Sequence, residues 1–363
     1  MLERKDLINY KELYIIILFS SYTNVNTNLN YAKNESLIIC NTTYSHTYIQ
    51  HIYSREKEGL LHKFEINETT KGARLPKADP TKTIKCFSRP AAGLNMTDMK
   101  QLRPAPVLLS TIRYLFTKIA TRNDVDWIVV YDFIFDRIRS VRQDAAIQRI
   151  DVPTNIRLLE SIVRFLVYSE QRYDISYFSI SRMDAEEQFD MKKLMLNDDR
   201  PQMEALYILL HMGNTEALMR GLQLPPDLRK SPNVQLSIKI SFAWYLKNYV
   251  RVCSLIPQLP PLLICAAMTG IQKLRRMALK IMSSGYNNKV FTFPGLKLQQ
   301  LLLYKDIDKI RADCELLGLV FVNQNILFQK ANFKDEVQLT HPEMYYTDQS
   351  LHSVLPGVLL ESM

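Results

Sequence analysis

From Pro106 to about residue 284, apolar side chains recur at the spacing of a helix face. Leu108, Ile112, Leu115, Phe116 and Ile119 form a first stripe, with Pro104 and Pro106 suited to its entry. Asp126 is placed to cap a second, marked by Val130, Ile134, Ile138 and Val141. A third follows Pro153, through Leu159, Ile162, Val163 and Leu166. Further helices are expected at about 184–196, 201–212, 215–220, 233–245, 247–255 and 261–284. Their links are short and carry Gly221, Pro225-Pro226, Pro232, Pro257 and Pro260-Pro261. Short links make consecutive helices antiparallel neighbours, so the expected architecture is mainly α, a solenoid of helix pairs. The Met and Leu stripes read as core. The chain has 10 glycines, none between Gly93 and Gly213, so the middle offers no glycine-rich phosphate loop.

Near residue 288 the pattern changes. Val290-Phe291-Thr292-Phe293 reads as a short strand closed by Pro294, and Leu296–Tyr304 as a short helix. Asp306 is placed to cap a helix ending at Gly318. Leu319–Val322 and Ile326–Phe328, on either side of Asn323-Gln324-Asn325, read as a β-hairpin. Helix, strand, helix, helix, hairpin is the order of a winged helix. Residues 305–318 carry Lys305, Lys309 and Arg311 against Asp306, Asp308, Asp313 and Glu315. A net acidic last helix does not suit a DNA groove, so protein docking is expected there, with Lys309, Arg311, Phe321 and Phe328 as contacts.

The five cysteines, Cys40, Cys86, Cys253, Cys265 and Cys314, are scattered and form no C-x-x-C, which suits buried thiols in a reducing compartment. Cys40 with His46, His51 and His62 matches no standard zinc spacing, so an exposed polar segment is the simpler reading and no metal is expected. The D-x-D pairs Asp124/Asp126 and Asp306/Asp308 sit where helices start and read as caps. No nucleophile–base pair stands out, so the chain is read as non-enzymatic and without a cofactor. The apolar run at 13–19 is too short to cross a bilayer and has no cleavage site after it. Four sequons, at Asn34, Asn41, Asn67 and Asn95, are the kind an Asn-rich stretch yields by chance. Residues 1–52 read as disordered or outside the domain.

The net charge is +9, and residues 71–122 alone carry eleven Lys or Arg against Asp79 and Asp98. The remainder then reads as balanced. Such a segment attracts phosphates or an acidic protein surface, with Lys82, Lys85, Arg89 and Arg103 as contacts. Arg139 and Arg142, three apart on one polar face, are weaker candidates. Asp136 and Asp144 lie near enough to pair with arginines. Aromatics are sparse in the segment, so no stacking platform for single strands is indicated.

Three further stretches carry a resemblance. Ala78–Gly93 (ADPTKTIKCFSRPAAG), Leu102–Leu115 (LRPAPVLLSTIRYL) and Tyr131–Gln148 (YDFIFDRIRSVRQDAAIQ) resemble the Sac-three/GANP domain family, and most of all its short members. Gly213–Arg229 (GNTEALMRGLQLPPDLR) echoes another of its segments, and the likeness runs over about 55–330. The cysteine motif C-P-x-M-C-P-x-x-E, which the family usually carries upstream of the segment Phe64-Glu65, is missing here.

The resemblance implies a PCI-like architecture and a scaffold. Long members pair with a PCI-type partner and a small acidic subunit in a nuclear complex that couples transcription to mRNA export. Short members are implicated in centrosome duplication and spindle assembly. The chain ends at Met363, without the further repeats of the long forms, which turns the expectation toward the short-form role. The expected partners are therefore a PCI-type protein, a small acidic subunit and centrosomal or spindle proteins, with no membrane. RNA is the alternative. The expected location is nucleus and cytoplasm, then centrosome and spindle in mitosis. The expected organisation is a non-domain segment 1–52, a basic extended region 53–105, helical repeats 106–285, a winged-helix module 286–333 and a tail 334–363.

Overall fold

The computed structural model describes residues 46–89, 102–172, 199–337, 339 and 351–361. The segment 1–45 with Cys40, the helix expected at 184–196, and Lys100 of the basic stretch lie outside them. The protein is mainly helical and divides between Val163 and Arg164 into two compact units.

In the N-terminal unit, α1 (His46–Lys57) leads into an extended stretch through residues 60–89. Next comes α2 (Ala105–Tyr114), which opens on Pro106 and continues as one π-helical turn, Leu115–Ile119. The first stripe is confirmed: Leu108, Ile112, Leu115, Phe116 and Ile119 are all buried. α3 (Trp127–Gln148) starts at Asp126, whose Oδ1 accepts the Ile128 amide at 3.1 Å. Val130, Ile134, Ile138 and Val141 bury its inner face against α2. α4 (Val152–Arg172) begins in this unit. A short C-terminal helix (Leu355–Leu359) packs Leu355 and Leu359 on the π-helical turn.

The C-terminal unit begins inside α4, where the buried Arg164 donates Nη2 to Asp199 Oδ2 at 2.6 Å and Nε to Gln202 Oε1 at 2.8 Å. Then follow α5 (Arg200–Leu210), α6 (Thr215–Gln223), α7 (Pro226–Lys230), α8 (Pro232–Tyr245) and α9 (Tyr249–Leu255). α8 is the centre of this group and packs against α5, α6, α7 and α9. The expected helix 261–284 is two helices, α10 (Pro261–Met268) and α11 (Ile271–Gly285). Thr269-Gly270 breaks it, where a glycine's backbone freedom costs the helix most.

The last elements are β1 (Phe293–Pro294), α12 (Gly295–Leu301), α13 (Ile307–Leu316), β2 (Val320–Val322) and β3 (Asn325–Leu327). The antiparallel sheet has the order β1-β3-β2, with Phe293 opposite Ile326 and Ile326 opposite Phe321. β1 is shorter than expected. Asn288 Oδ1 takes the amides of Val290 and Phe291 at 2.7 and 3.0 Å, which removes them from the ladder. Pro294, which has no amide hydrogen, sits on an edge strand. The hairpin turns at Asn323 and Gln324, both at positive φ, as a two-residue turn between twisted strands requires. Asp306 caps α13, accepting the Lys309 amide at 2.9 Å. Gly318 ends that stretch at φ 78, and a Cβ there would lie 2.2 Å from the Asn332 carbonyl oxygen. Among the described residues no helix is long and apolar enough to cross a membrane.

Candidate functional site

Two carboxylates in the N-terminal unit organise the basic stretch, and both are fully buried: Glu65 and Asp144 are each 0% exposed. Asp144, on α3, accepts Lys85 Nζ on Oδ1 at 2.6 Å and Arg103 Nε on Oδ2 at 2.7 Å. Arg103 Nη2 also donates to Ser140 Oγ at 2.8 Å, one turn earlier on α3. Gln148 Nε2 holds the Arg103 carbonyl at 2.7 Å. Glu65 Oε1 accepts Arg137 Nη2 at 2.9 Å and the Ile84 amide at 3.1 Å, and its Oε2 pairs with Arg55. Arg137 Nη1 reaches Asp136 at 2.6 Å, and Asp136 accepts the Phe87 amide at 3.3 Å.

The electrostatics follow from this enclosure. Burial alone would raise the Glu65 carboxyl, but the charges and hydrogen bonds of Arg137 and Arg55 outweigh it and hold the carboxyl below its ordinary value. His62 lies 4.6 Å from the ring centres of both Phe64 and Phe133. Burial, and then the Arg137 charge, push it down to about 4, so it is neutral near pH 7. Unfolded, the same imidazole titrates at about 6.5. The unfolded chain therefore binds the extra proton between those values, and stability falls as pH drops from about 6.5 to about 4. Discounted for the part of the ring that water reaches, the loss is on the order of 2 kcal/mol. Urea unfolding of wild type and His62→Gln across that range should show the variant with the shallower slope. Parallel slopes would remove His62 from the account.

These contacts reassign the basic candidates. Lys85 and Arg103 neutralise Asp144, Arg103 buried and Lys85 half-buried in doing so. Lys82 lies 3.4 Å from Asp79 and 3.8 Å from Glu68. Arg139 stacks its guanidinium 3.7 Å from the Phe87 ring centre, and Arg142 is half-buried beside it in sequence on α3. Arg89 alone of the six is exposed at the surface. Asp136 does pair with an arginine of α3, Arg137, whereas Asp144 reaches across sequence to Lys85 and Arg103. Arg55, Glu65 and Arg137 were not among the expected site residues. A lone Glu in a short Phe-Glu segment carries no pattern that announces burial.

In the C-terminal module, Phe328 is core: it is 1% exposed and packs 6.0 Å from the Phe293 ring, so it does not contact a partner. Phe321 is half-buried with Arg311 above it at 5.1 Å, and Lys309 is exposed on α13. The outward side of the sheet instead presents Val320 and Val322, 44% and 42% exposed. Val290, Phe291 and Leu296 are exposed beside β1 in sequence. The buried Tyr304 hydroxyl donates to Asp313 at 2.6 Å, so one of the acids counted on α13 faces inward.

The convergence at Asp144 has a further feature. Lys85, Arg103 and Asp144 come one each from the three stretches at 78–93, 102–115 and 131–148. The model of the SAC3/GANP family matches residues 49–323, which takes in all three. The chain belongs to the SAC3/GANP family. It is similar to SAC3 family protein 1 of Schizosaccharomyces pombe, 24% identical over 75% of this chain and 29% of that protein. SAC3 family protein B of Arabidopsis thaliana is 23% identical over 64% of this chain and 15% of its own length. Protein xmas of Drosophila melanogaster is 25% identical over 69% and 13%. This SAC3/GANP chain thus spans less than a third of the length of these relatives.

Proposed function

We propose that this SAC3/GANP chain is a non-enzymatic scaffold that docks a PCI-type partner through its C-terminal module, with a small acidic subunit as a third component. It acts in centrosome duplication, spindle assembly and mitotic progression, in nucleus and cytoplasm and on the mitotic spindle. The carrying observation is the outward sheet face with Val320 and Val322, apolar surface in a module that also exposes Val290, Phe291 and Leu296. The element order from α11 to β3 and the sheet order β1-β3-β2 support a winged-helix reading of that module. The helices packed around α8 support a PCI-like helical stack ahead of it. With Asp313 turned inward, three acids and three bases remain from 305 to 318, and a helix without net positive charge favours a protein over a DNA groove.

The second reading is an RNA-binding adaptor of transcription-coupled mRNA export, supported by the net charge of +9. It is weakened by the engagement of Lys85 and Arg103 with Asp144. Affinity purification from dividing cells, at low and moderate salt and with an RNase-treated control, separates the two. The scaffold reading predicts PCI-type, centrosomal or spindle proteins that survive RNase and salt. Recovery of export factors alone, lost on RNase treatment, would overturn it.

A further inference from the structure

A second surface, on α8 and α9, has both the apolarity and the charge of a docking site. From residue 228 to 305 the chain carries twelve Lys or Arg and no Asp or Glu. The balance outside 71–122 is therefore an average that hides a second basic stretch. Part of it is used internally. Arg275 is buried and donates Nε to the Leu302 carbonyl at 3.1 Å, and Arg276 and Lys280 meet Asp335. Lys239, Lys247 and Arg251 are exposed.

Those three border an apolar patch. Phe242 on α8 and Leu246 at its C-cap, whose amide donates to the Phe242 carbonyl, stand one turn apart, 47% and 59% exposed, with Tyr245 between them at 57%. Val250, 48% exposed, stands at the start of α9, which packs on α8. The rings of Phe242 and Tyr245 lie 6.4 Å apart and inclined by 28°. Lys239 lies one turn before Phe242 on α8. Lys247 sits between Leu246 and Val250 in sequence, at φ 56, where glycine would carry less strain.

We propose that the α8–α9 face docks an acidic segment of a partner protein that carries apolar anchors. Clustered aromatic and aliphatic side chains on a helix surface gain by being covered, and an amphipathic segment covers them at helical spacing. The basic border selects Asp and Glu around those anchors and repels basic segments. Leu246 and Val250 decide between partner classes. Aliphatic side chains offer no stacking face to a nucleobase, whereas they fill against a partner's apolar side chains. The site lies on different elements from the outward sheet face and does not depend on that face docking anything.

The test is selection of a random displayed peptide library on the full chain, followed by binding titrations of the selected peptides. The expected consensus is rich in Asp and Glu around Phe, Leu or Trp. Phe242→Ala with Leu246→Ala should weaken those peptides about tenfold or more, as should joint replacement of Lys239, Lys247 and Arg251 by Glu. Val320→Asp with Val322→Asp should leave them unchanged. The substituted positions are exposed, and unaltered melting temperatures confirm that fold is retained. Four results would overturn the proposal. One is a consensus without acids. Another is peptide affinity indifferent to both α8–α9 variants. A third is single-stranded RNA, and no peptide, binding in a manner lost with these variants. The last is a dimer in light scattering that Leu246→Ala dissolves, which would give the face to a second copy of the chain.

Discussion

Replacing Glu65 by alanine should destabilise the N-terminal unit by about 3–5 kcal/mol. Glu65 is enclosed, and its carboxylate accepts from Arg55, Arg137, the Ile84 amide and, at 3.4 Å, the His62 amide. Arg55 and Arg137 are themselves buried. Without the carboxylate, two guanidiniums remain in a poorly solvated space with nothing between them, and two amides lose an acceptor. Glu65→Gln keeps an acceptor but not the charge, and should cost less. The same contacts give an acid dependence. The folded carboxyl titrates below its ordinary value, so its stabilisation is present above the unfolded value of about 4.3 and is lost as pH falls through the folded one. Denaturant unfolding followed by tryptophan fluorescence reads this, since Trp127 lies on α3 of that unit. A loss under about 1 kcal/mol would mean the arginines find water or other partners.

Asp144→Ala should cost about as much, again about 3–5 kcal/mol, and it has a second consequence. Asp144 ties Lys85 and Arg103 to α3, so its removal releases the basic stretch at those two points. Trypsin should then cut after Lys85 much faster than in wild type, while the Arg103-Pro104 bond stays resistant in both. Hydrophobic replacement of the whole cluster, Asp144→Leu with Lys85→Met and Arg103→Met, should recover most of the loss, because no buried charge is left unpaired. Unchanged cleavage and stability in Asp144→Ala would contradict the clamp. This also turns a charge argument around. Charge reversal at Lys85, which the sequence offers as a phosphate contact, should first of all weaken the fold.

The contrast shows what a sequence displays. The helix stripes through Leu108–Ile119 and Val130–Val141 are legible because helical periodicity needs only neighbours within a dozen residues. The caps Asp126 and Asp306 are legible for the same reason. The clamp is not, because Lys85 and Arg103 meet Asp144 across 59 and 41 residues. A count of charges cannot tell a solvated lysine from one buried on a carboxylate. The missing first half of β1 was hidden because Asn288 competes for the backbone amides of Val290 and Phe291 through its side chain. The sequence offers Phe328 as a contact because a strand's apolar residues do not say which side of the sheet faces solvent until the register is fixed. The stretch 228–305 is the opposite case, plain in the letters and concealed by summing charge over the whole remainder.

The central proposal is that Lys85 and Arg103 serve the fold while a PCI-type partner docks on the C-terminal module. Its most direct test is recovery of co-purifying partners by tagged wild type and by Val320→Asp with Val322→Asp, in RNase-treated extract. Both valines are exposed on one side of the sheet, so the variant should keep the wild-type melting temperature. The account predicts that the PCI-type partner and the spindle proteins fall by about tenfold or more. Full recovery of those partners by the folded variant would contradict it.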